Sequence, residues 1–437
     1  MQLNKIQDYI KNNSDGAVLT VGSELTLYFL KPLTKFDEII TKIQIPFMKD
    51  KESFDVYLKS LSNIIDQKDA IKYLVKGYVI GEYKNKTLAI FGFSKTEARA
   101  IGEAIKESSF EGGLEAFIED LSVNLNLIRS LYRTNELVVN IIPIGDKDQK
   151  QVALVYNKNS VDTDILSTLT KELSEINVPT IGALSELQQI LIKNQYIFPR
   201  LLTTERPDRV IHSIDSGRVA IFLEGTAVAA LAPTTFHDYF STVDDRYLLP
   251  VPAVFLIVIR YLALVISIIM PASYVAFVAY NPEVFRVQLA LSIAGSRQGV
   301  PYASYIEVSF MLLMMEFLIE ASLRLPKTIG QTATTVGGLI LGQAMTEASL
   351  ASEVMIIIVS SVAISNFVIP ATSMSLSIRI LKYYVLLLTI IGGLMGFIAA
   401  LMTIIFYMTS LNSFSTPFFN PANIPISRLK SIFGKVK

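Results

Sequence analysis

The amino-acid sequence predicts a water-soluble α/β N-terminal domain made of two related subdomains, followed by an all-α polytopic membrane domain. Two observations carry this. The first is an abrupt change of composition near Leu249. Residues 1–249 hold 28 basic and 33 acidic side chains, whereas Pro250–Ser410 holds 13 charges in 161 residues. Uncharged runs stand at Tyr261–Pro282, Thr328–Thr346, Val354–Ile378 and from Tyr383 onward. Their length matches the ~20 apolar residues a helix needs to cross ~30 Å of hydrocarbon. The second observation is a repeated pattern, GYVIGEYKNKTLAI from Gly77 and GRVAIFLEGTAVAA from Gly217. In it Val79, Leu88 and Ile90 stand at the offsets of Val219, Val228 and Ala230.

Each pattern reads as two strands joined by a turn, at Lys84–Lys86 and at Glu224–Gly225, because apolar runs flank short polar or glycine-bearing breaks. Another apolar strand leads a helix-rich stretch upstream of each, LTLYFL (Leu25–Leu30) and QVALVY (Gln151–Tyr156). The expected organisation is a first α/β subdomain over 1–110 and a second over 135–248, related by internal duplication. A chance likeness of two β-hairpins is the competing reading. Between them, in 111–134, Leu114, Phe117, Leu121 and Leu125 follow at steps of three and four. That spacing predicts an amphipathic bridging helix over Leu114–Tyr132.

Composition excludes several chemistries for this front half. Its net charge of −5 makes it a poor partner for nucleic acid, which is bound through released counterions. Cysteine is absent and the histidines are His212 and His237 alone, so thiolate and multi-histidine metal centres are excluded, leaving carboxylates as possible ligands of a hard cation. Gly112–Gly113 lacks the Lys-Ser/Thr of a phosphate loop, and there is no Gly-x-Ser-x-Gly elbow. Carboxylates such as Glu119, Glu205 and Asp208 are expected on solvated faces. No catalytic residue, cofactor or metal is assigned. Met1–Gly16 lacks the apolar core of a signal peptide, so the front domain is expected to stay on the cytoplasmic side.

In 249–410 four to five spans are expected, followed by a tail over 411–437 bearing Arg428, Lys430, Lys435 and Lys437. Val251–Tyr280 is the first, with Arg260 placed to snorkel to the interface. Tyr302–Leu325 differs, because Glu307, Glu316 and Glu320 interrupt it. On a helix Tyr305, Ser309, Glu316, Glu320 and Arg324 share one stripe. A charge at mid-bilayer costs at least ~2.5–3.5 kcal/mol. The stripe should therefore face a water-filled pore or other helices, or lie at the membrane surface with Glu320 and Arg324 paired at i,i+4. Several copies around an axis would form acidic rings that favour cations. Tyr305, Ser309, Glu316 and Glu320 are thus the candidate ion pathway, with Glu307, on roughly the opposite face, a secondary candidate.

The third segment carries Gly338 and Gly342 four apart, a spacing that lets helices approach closely, and Gln331, Thr332, Thr334, Thr335 and Gln343 need hydrogen-bond partners in lipid. Met355–Ile369 stops at Pro370, and Tyr383–Met408 repeats the close-packing spacing at Gly392 and Gly396. The positive-inside rule divides the topologies. With the front domain inside, five spans put Arg324, Lys327, Arg379 and Lys382 inside and the tail outside. Four spans, with Tyr302–Leu325 only dipping into the bilayer, do the reverse, and the glutamate stripe favours four.

TERPDRVIHSIDSGRVAIFLEGTAVAALAPTTFHDY (Thr204–Tyr239), LSIAGSRQGVPY (Leu291–Tyr302), EASLRLPKTIGQT (Glu320–Thr332), GGLILGQA (Gly337–Ala344), FVIP (Phe367–Pro370) and NLNLIRSLYRT (Asn124–Thr134) together resemble the A-subunit family of bacterial spore germinant receptors, the GerA type. The likeness covers most of 115–415 and is looser before 115; His237 and Met270 depart from the expected residue types. The resemblance implies a multi-pass subunit of the endospore inner membrane with its N-terminal domain on the core side. It would act with a permease-like B subunit that binds the nutrient and a lipoprotein C subunit. It further implies a homo-oligomeric, nutrient-gated cation channel. A non-conducting scaffold or signalling subunit, and the family paralogue that accompanies the dipicolinate-release channel, are the alternatives. A secondary transporter fits worst, since no inverted repeat is evident.

Overall fold

A computed structural model of the chain describes residues 4–22, 24–84, 86–95, 107, 112–113, 115–192, 197–324 and 327–419, with backbone alone at 4, 51, 52, 323 and 327–335. Two compact units emerge. One comprises Met1–Tyr196, Arg200–Thr234 and Ser413–Thr416, and the other Ile197–Pro199, Thr235–Asn412 and Pro417–Lys437. The first is α/β and the second is helical.

The α/β unit holds two five-stranded antiparallel sheets. Strands β1 (Gly16–Val21), β2 (Leu25–Leu30), β3 (Ser62–Ile64), β4 (Val79–Tyr83) and β5 (Lys86–Ile90) lie in the order β1-β2-β4-β5-β3. Strands β6 (Leu137–Ile144), β7 (Lys150–Asn157), β8 (Leu202–Thr204), β9 (Val219–Leu223) and β10 (Ala229–Ala232) lie in the order β6-β7-β9-β10-β8. Counted within each subdomain the two orders are identical, so the two subdomains share one topology, as the repeated hairpin predicts. One detail differs. Val79 pairs with Ile90, but Val219 pairs with Ala232 rather than Ala230. The second hairpin has two more residues in its turn, and a slip of two leaves every side chain on its own face.

Alternation along the strands divides each sheet between two layers. In the first, Leu25, Leu27, Phe29, Val79 and Ile90 pack on Phe54 and Leu58 of α2 (Lys51–Leu61) and on Phe47. The alternate residues Tyr28, Leu30, Ile80 and Ala89 meet α1 (Asn4–Lys11) and α3 (Ala70–Val75). The bridging helix α4 runs Leu121–Leu131, seven residues shorter at its start than its apolar spacing predicts. Asp120 ends it, because its carboxylate accepts the amides of Ser122 (2.8 Å) and Val123 (3.3 Å) and so satisfies donors a helix start leaves unpaired. Leu114 lies outside the described residues. In the second subdomain α5 (Thr163–Ser174) and α6 (Leu184–Leu191) cover one face of the sheet through Ile165, Leu169, Leu184 and Leu187. On the sheet's other side, α7 (Pro207–Asp215) buries Val210 and Ile214.

The helical unit contains α8 (Pro250–Val275, continued by a π-turn to Tyr280), α9 (Val287–Ser296), α10 (Ser304–Arg324), α11 (Lys327–Glu347), α12 (Glu353–Val368) and α13 (Thr372–Ser410). The sequence reading has no counterpart for α9. Among the described residues, Pro250–Tyr280 and Thr372–Ser410 are long and apolar enough to cross a membrane. Ile391 is 74% and Met395 77% exposed on α13, and Phe255 and Leu262 are exposed on α8, surface that an apolar solvent accommodates and water does not.

The last predicted span, Tyr383–Met408, is not one straight helix. Gly393 has φ +56° and ψ −137°, and Ser377 and Tyr407 both hydrogen-bond Ile197, Ser377 Oγ donating to its carbonyl (2.6 Å) and its amide donating to Tyr407 Oη (3.1 Å). Thirty residues of straight helix would separate the two by ~45 Å. α13 is therefore a hairpin of two arms, 372–392 and 394–410. An L-side chain rarely adopts that φ, and a Cβ at Gly393 would lie 3.1 Å from the Tyr280 ring. Gly393→Ala is expected to lower stability by about 1–3 kcal/mol, read as a drop in the unfolding midpoint in detergent. An unchanged midpoint contradicts the strained turn.

Candidate functional site

α10 carries the three glutamates, and its neighbours treat each differently. Glu307, in the first turn, is buried; its Oε1 accepts the amide and the hydroxyl of Ser352, both at 2.7 Å, and its Oε2 accepts Arg297 Nε at 3.2 Å. Ser352 is the N-cap of α12, its Oγ accepting the Met355 amide at 3.3 Å. A carboxylate that accepts an amide at the positive end of the helix dipole is a favourable clamp between α10 and α12. Glu307 is thus bound to α12 and Arg297.

Glu316 is held by α13. Its Oε2 accepts Arg379 Nε at 2.9 Å and also Arg379 Nη2, while its Oε1 accepts Lys382 Nζ at 2.6 Å. Lys382 is 1% exposed and its ammonium stands 5.2 Å from the Tyr383 ring centroid. Tyr383 Oη in turn donates to the Leu312 carbonyl at 3.1 Å, one turn along α10. Two cations on one carboxylate leave the cluster at net +1. Glu320 is exposed and pairs with Arg324 at 2.8 Å, four residues on. Tyr305 and Ser309 are half-buried, and Ser309 Oγ is spent on the Tyr305 carbonyl at 2.7 Å. The tertiary structure thus divides the helical stripe: Glu316 faces α13, and Glu320 is left open.

The candidate packing glycines divide as well. A Cβ at Gly338, Gly342 or Gly392 would meet nothing within 4 Å. Gly338 and Gly342 instead line an apolar cavity of about 230 Å³ with Met311, Met315, Leu318 and Ile356. Gly396 is the crowded one, since its Cβ would fall 2.0 Å from the Leu388 carbonyl oxygen, where the hairpin brings its arms together. The side chains of Gln331, Thr332, Thr334 and Thr335, and the basic tail, lie outside the described residues. Arg260 turns back to Asp245 (2.5 Å) and the Phe240 carbonyl (3.1 Å).

The polar residues of NLNLIRSLY have roles that periodicity does not reveal. On α4, Asn124 exchanges two hydrogen bonds with Ile118 (2.6 and 2.9 Å), and Asn126 Nδ2 donates to the carbonyls of Pro32 (2.7 Å) and Lys95 (3.0 Å). Arg129, 1% exposed, meets Asp15, 2% exposed, through Nε at 2.5 Å and Nη2 at 2.7 Å. Burial disfavours the guanidinium's charge, but Asp15, with Tyr9, holds its proton more tightly than usual. Arg129 Nη2 also donates to Asn13 Oδ1 (3.0 Å), which accepts the Val139 amide of β6 (3.0 Å), and the Ser14 amide donates to the Val139 carbonyl (2.8 Å). One arginine therefore ties the two subdomains together. Arg129 is the one charged side chain within Leu121–Leu131, and that is the signal that points to it. Beside α4 a cavity of about 300 Å³ is lined by Ser94, Lys95, Asn126, Ser130 and Arg133, among others. No cluster of three or more metal-ligating side chains occurs among the described residues.

The family profile described as Bacillus/Clostridium GerA spore germination protein matches residues 4–437. The chain belongs to the GerA spore germination protein family. Its members include spore germination protein GerLA of Bacillus cereus, 34% identical over 81% of this chain and 72% of its own length. Spore germination protein A1 of Bacillus subtilis (strain 168) is 29% identical over 90% of this chain and 80% of its own. A third relative from that strain, named uncharacterized membrane protein YfkQ, is 32% identical over 77% and 66%. Among solved structures, the N-terminal domain of the A subunit of the Bacillus megaterium spore germinant receptor GerK3 aligns with 54% of this chain and 94% of its own, at 22% identity and a TM-score of 0.41. The GerA family match agrees with the resemblance read from the six sequence blocks.

Proposed function

We propose that this GerA family member is the A subunit of a spore germinant receptor and forms, as a homo-oligomer, a nutrient-gated conduit for cations in the endospore inner membrane. It would act with a permease-like B subunit that binds the nutrient and with a lipoprotein C subunit. Family membership supports the germination role, and the exposed apolar helices support the membrane setting. The single observation that carries conduction is Glu320, the α10 carboxylate left exposed beside Arg324 rather than bound by another helix. Copies of α10 around an axis would present these carboxylates as a ring, which attracts cations and repels anions. The α/β unit, on the core side, transmits the signal and carries no assigned catalytic residue.

Glu320→Gln in the full chain, reconstituted in liposomes, is expected to drive the cation-to-anion permeability ratio toward one. Conduction with unaltered selectivity rejects Glu320 as a pore residue. A second reading is a non-conducting scaffold, favoured by Glu316 being saturated by two cations of its own chain. Oligomeric state separates the two, because a closed ring supports a conduit and a strict monomer a scaffold.

A further inference from the structure

We infer that the helical unit crosses the membrane six times and that both ends of the chain emerge on one face, the sixth crossing being the second arm of the hairpin that turns at Gly393. This rests on reading the helical unit as a membrane domain. One end of the unit is marked by Ile197, which joins Ser377 to Tyr407, by Phe198, stacked 6.0 Å from the Tyr407 ring, and by His237, 2.5 Å from Tyr261 Oη. The Phe236 amide donates to the Phe418 carbonyl at 2.8 Å in the same cluster. The chain passes to and from the α/β unit at these segments, so this end is the near face. The far face is marked by the Tyr280 hydroxyl donating to the Ile390 carbonyl, and by Glu307 bound to Ser352 at 2.7 Å.

The contacts orient α8, α10, α11, α12 and the two arms of α13 between those ends. α8 runs from Tyr261 at the near face to Tyr280 at the far face. α10 starts far, at Glu307, and returns, because Leu312 meets Tyr383 and Glu316 meets Arg379 and Lys382 of the first arm of α13. α11 descends again: a Cβ at Gly337 would stand 3.3 Å from Leu318, while Met345 packs with Val308 and Met355 at the far end. α12 rises from Ser352, Asn366 accepting Ser267 Oγ at 2.7 Å on the way. The first arm of α13 descends to Ile390 and the second climbs back to Tyr407. Six passes result; Glu307 stands at the far boundary paired with Arg297, and Glu316 enters the apolar layer together with Arg379 and Lys382, so each carboxylate has a counter-charge beside it, the condition under which lipid tolerates it.

Charge follows the same division. Arg260, Arg324, Arg379 and Lys382 lie in the near-face halves of their helices and α11 starts there at Lys327, and the sequence that carries Arg428, Lys430, Lys435 and Lys437 follows the near-face end of α13, whereas the far loops set Arg286 and Arg297 against Glu283, Glu347 and Glu353. Counting Tyr383–Met408 as one span forces the loop cations and the tail onto opposite faces. The hairpin removes that conflict and makes the near face the cytoplasmic one by the positive-inside rule.

The chain has no cysteine, so single introduced cysteines report one position each. Lys158→Cys, Gln298→Cys, Ala348→Cys and Asn412→Cys all sit at exposed positions. In sealed vesicles of known orientation, a membrane-impermeant maleimide is expected to label Lys158→Cys and Asn412→Cys from one side, and Gln298→Cys and Ala348→Cys only from the other. Asn412→Cys labelled with Gln298→Cys overturns the hairpin inference, and so does Ala348→Cys labelled with Lys158→Cys. All four labelled from one side overturns the membrane reading itself, a distinguishable failure. Circular dichroism of each variant confirms that the labelled protein is folded.

Discussion

Asp15→Asn is expected to destabilise the α/β unit by about 3–5 kcal/mol, the cost of leaving a buried guanidinium without its counter-charge. Arg129 is enclosed: Asp15 supplies both carboxylate oxygens, and Asn13 and Tyr9 take its remaining contacts. Asparagine keeps the size but removes the charge and one acceptor, and no water-exposed rotamer is open to an arginine 1% exposed. Since Asn13 also holds the Val139 amide of β6, the loss should spread to the seam between the two sheets. Denaturant unfolding of the full chain, followed by far-UV circular dichroism, measures it. The double variant Asp15→Asn/Arg129→Met should recover much of the loss, because an apolar side chain leaves no orphan charge. A single-variant cost below ~1 kcal/mol, the range of exposed ion pairs, contradicts the assignment.

Glu316→Gln should be comparably severe in the helical unit, at about 3–5 kcal/mol, because it strands Arg379 and the nearly inaccessible Lys382 together. The geometry alters what this substitution tests. On the helical stripe alone, Glu316 and Glu320 are equivalent pore carboxylates and either change should alter conduction. With Glu316 bound to α13, its loss removes a fastening between α10 and the first arm, so the unfolding midpoint in detergent should fall. Glu316→Gln/Lys382→Met, which removes one surplus cation, should regain part of that midpoint. A Glu316→Gln protein as stable as its parent but altered in ion selectivity returns Glu316 to the pore.

Where the sequence was legible, a repeating physical constraint made it so. The continuous apolar runs of GYVIG and GRVAI register central strands buried on both faces, and they recur at matching places in the two sheets. The fall in charge at Leu249 marks where apolar surface replaces solvated surface, and α8 begins at the next residue, Pro250.

The bridging helix is shorter than its apolar spacing, which continues through Phe117, because Asp120 acts through a local hydrogen bond that periodicity does not register. The hairpin in α13 is invisible to composition for a similar reason. Gly392, Gly393 and Gly396 stand in an unbroken apolar run, and nothing in composition distinguishes a glycine that packs from one that turns.

Sequence alone determined the two-part architecture, the duplicated sheets, the family, and the helix on which the glutamates reside, since each depends on patterns local to a segment. Tertiary structure decided which carboxylate is clamped, which is fastened and which is open, and that the last apolar run doubles back. Those outcomes depend on partners 45 to 66 residues away, Ser352 for Glu307 and Arg379 and Lys382 for Glu316, and on one backbone angle at Gly393. A helical period fixes the face a side chain occupies, but the charge opposite that face is set only when distant segments pack.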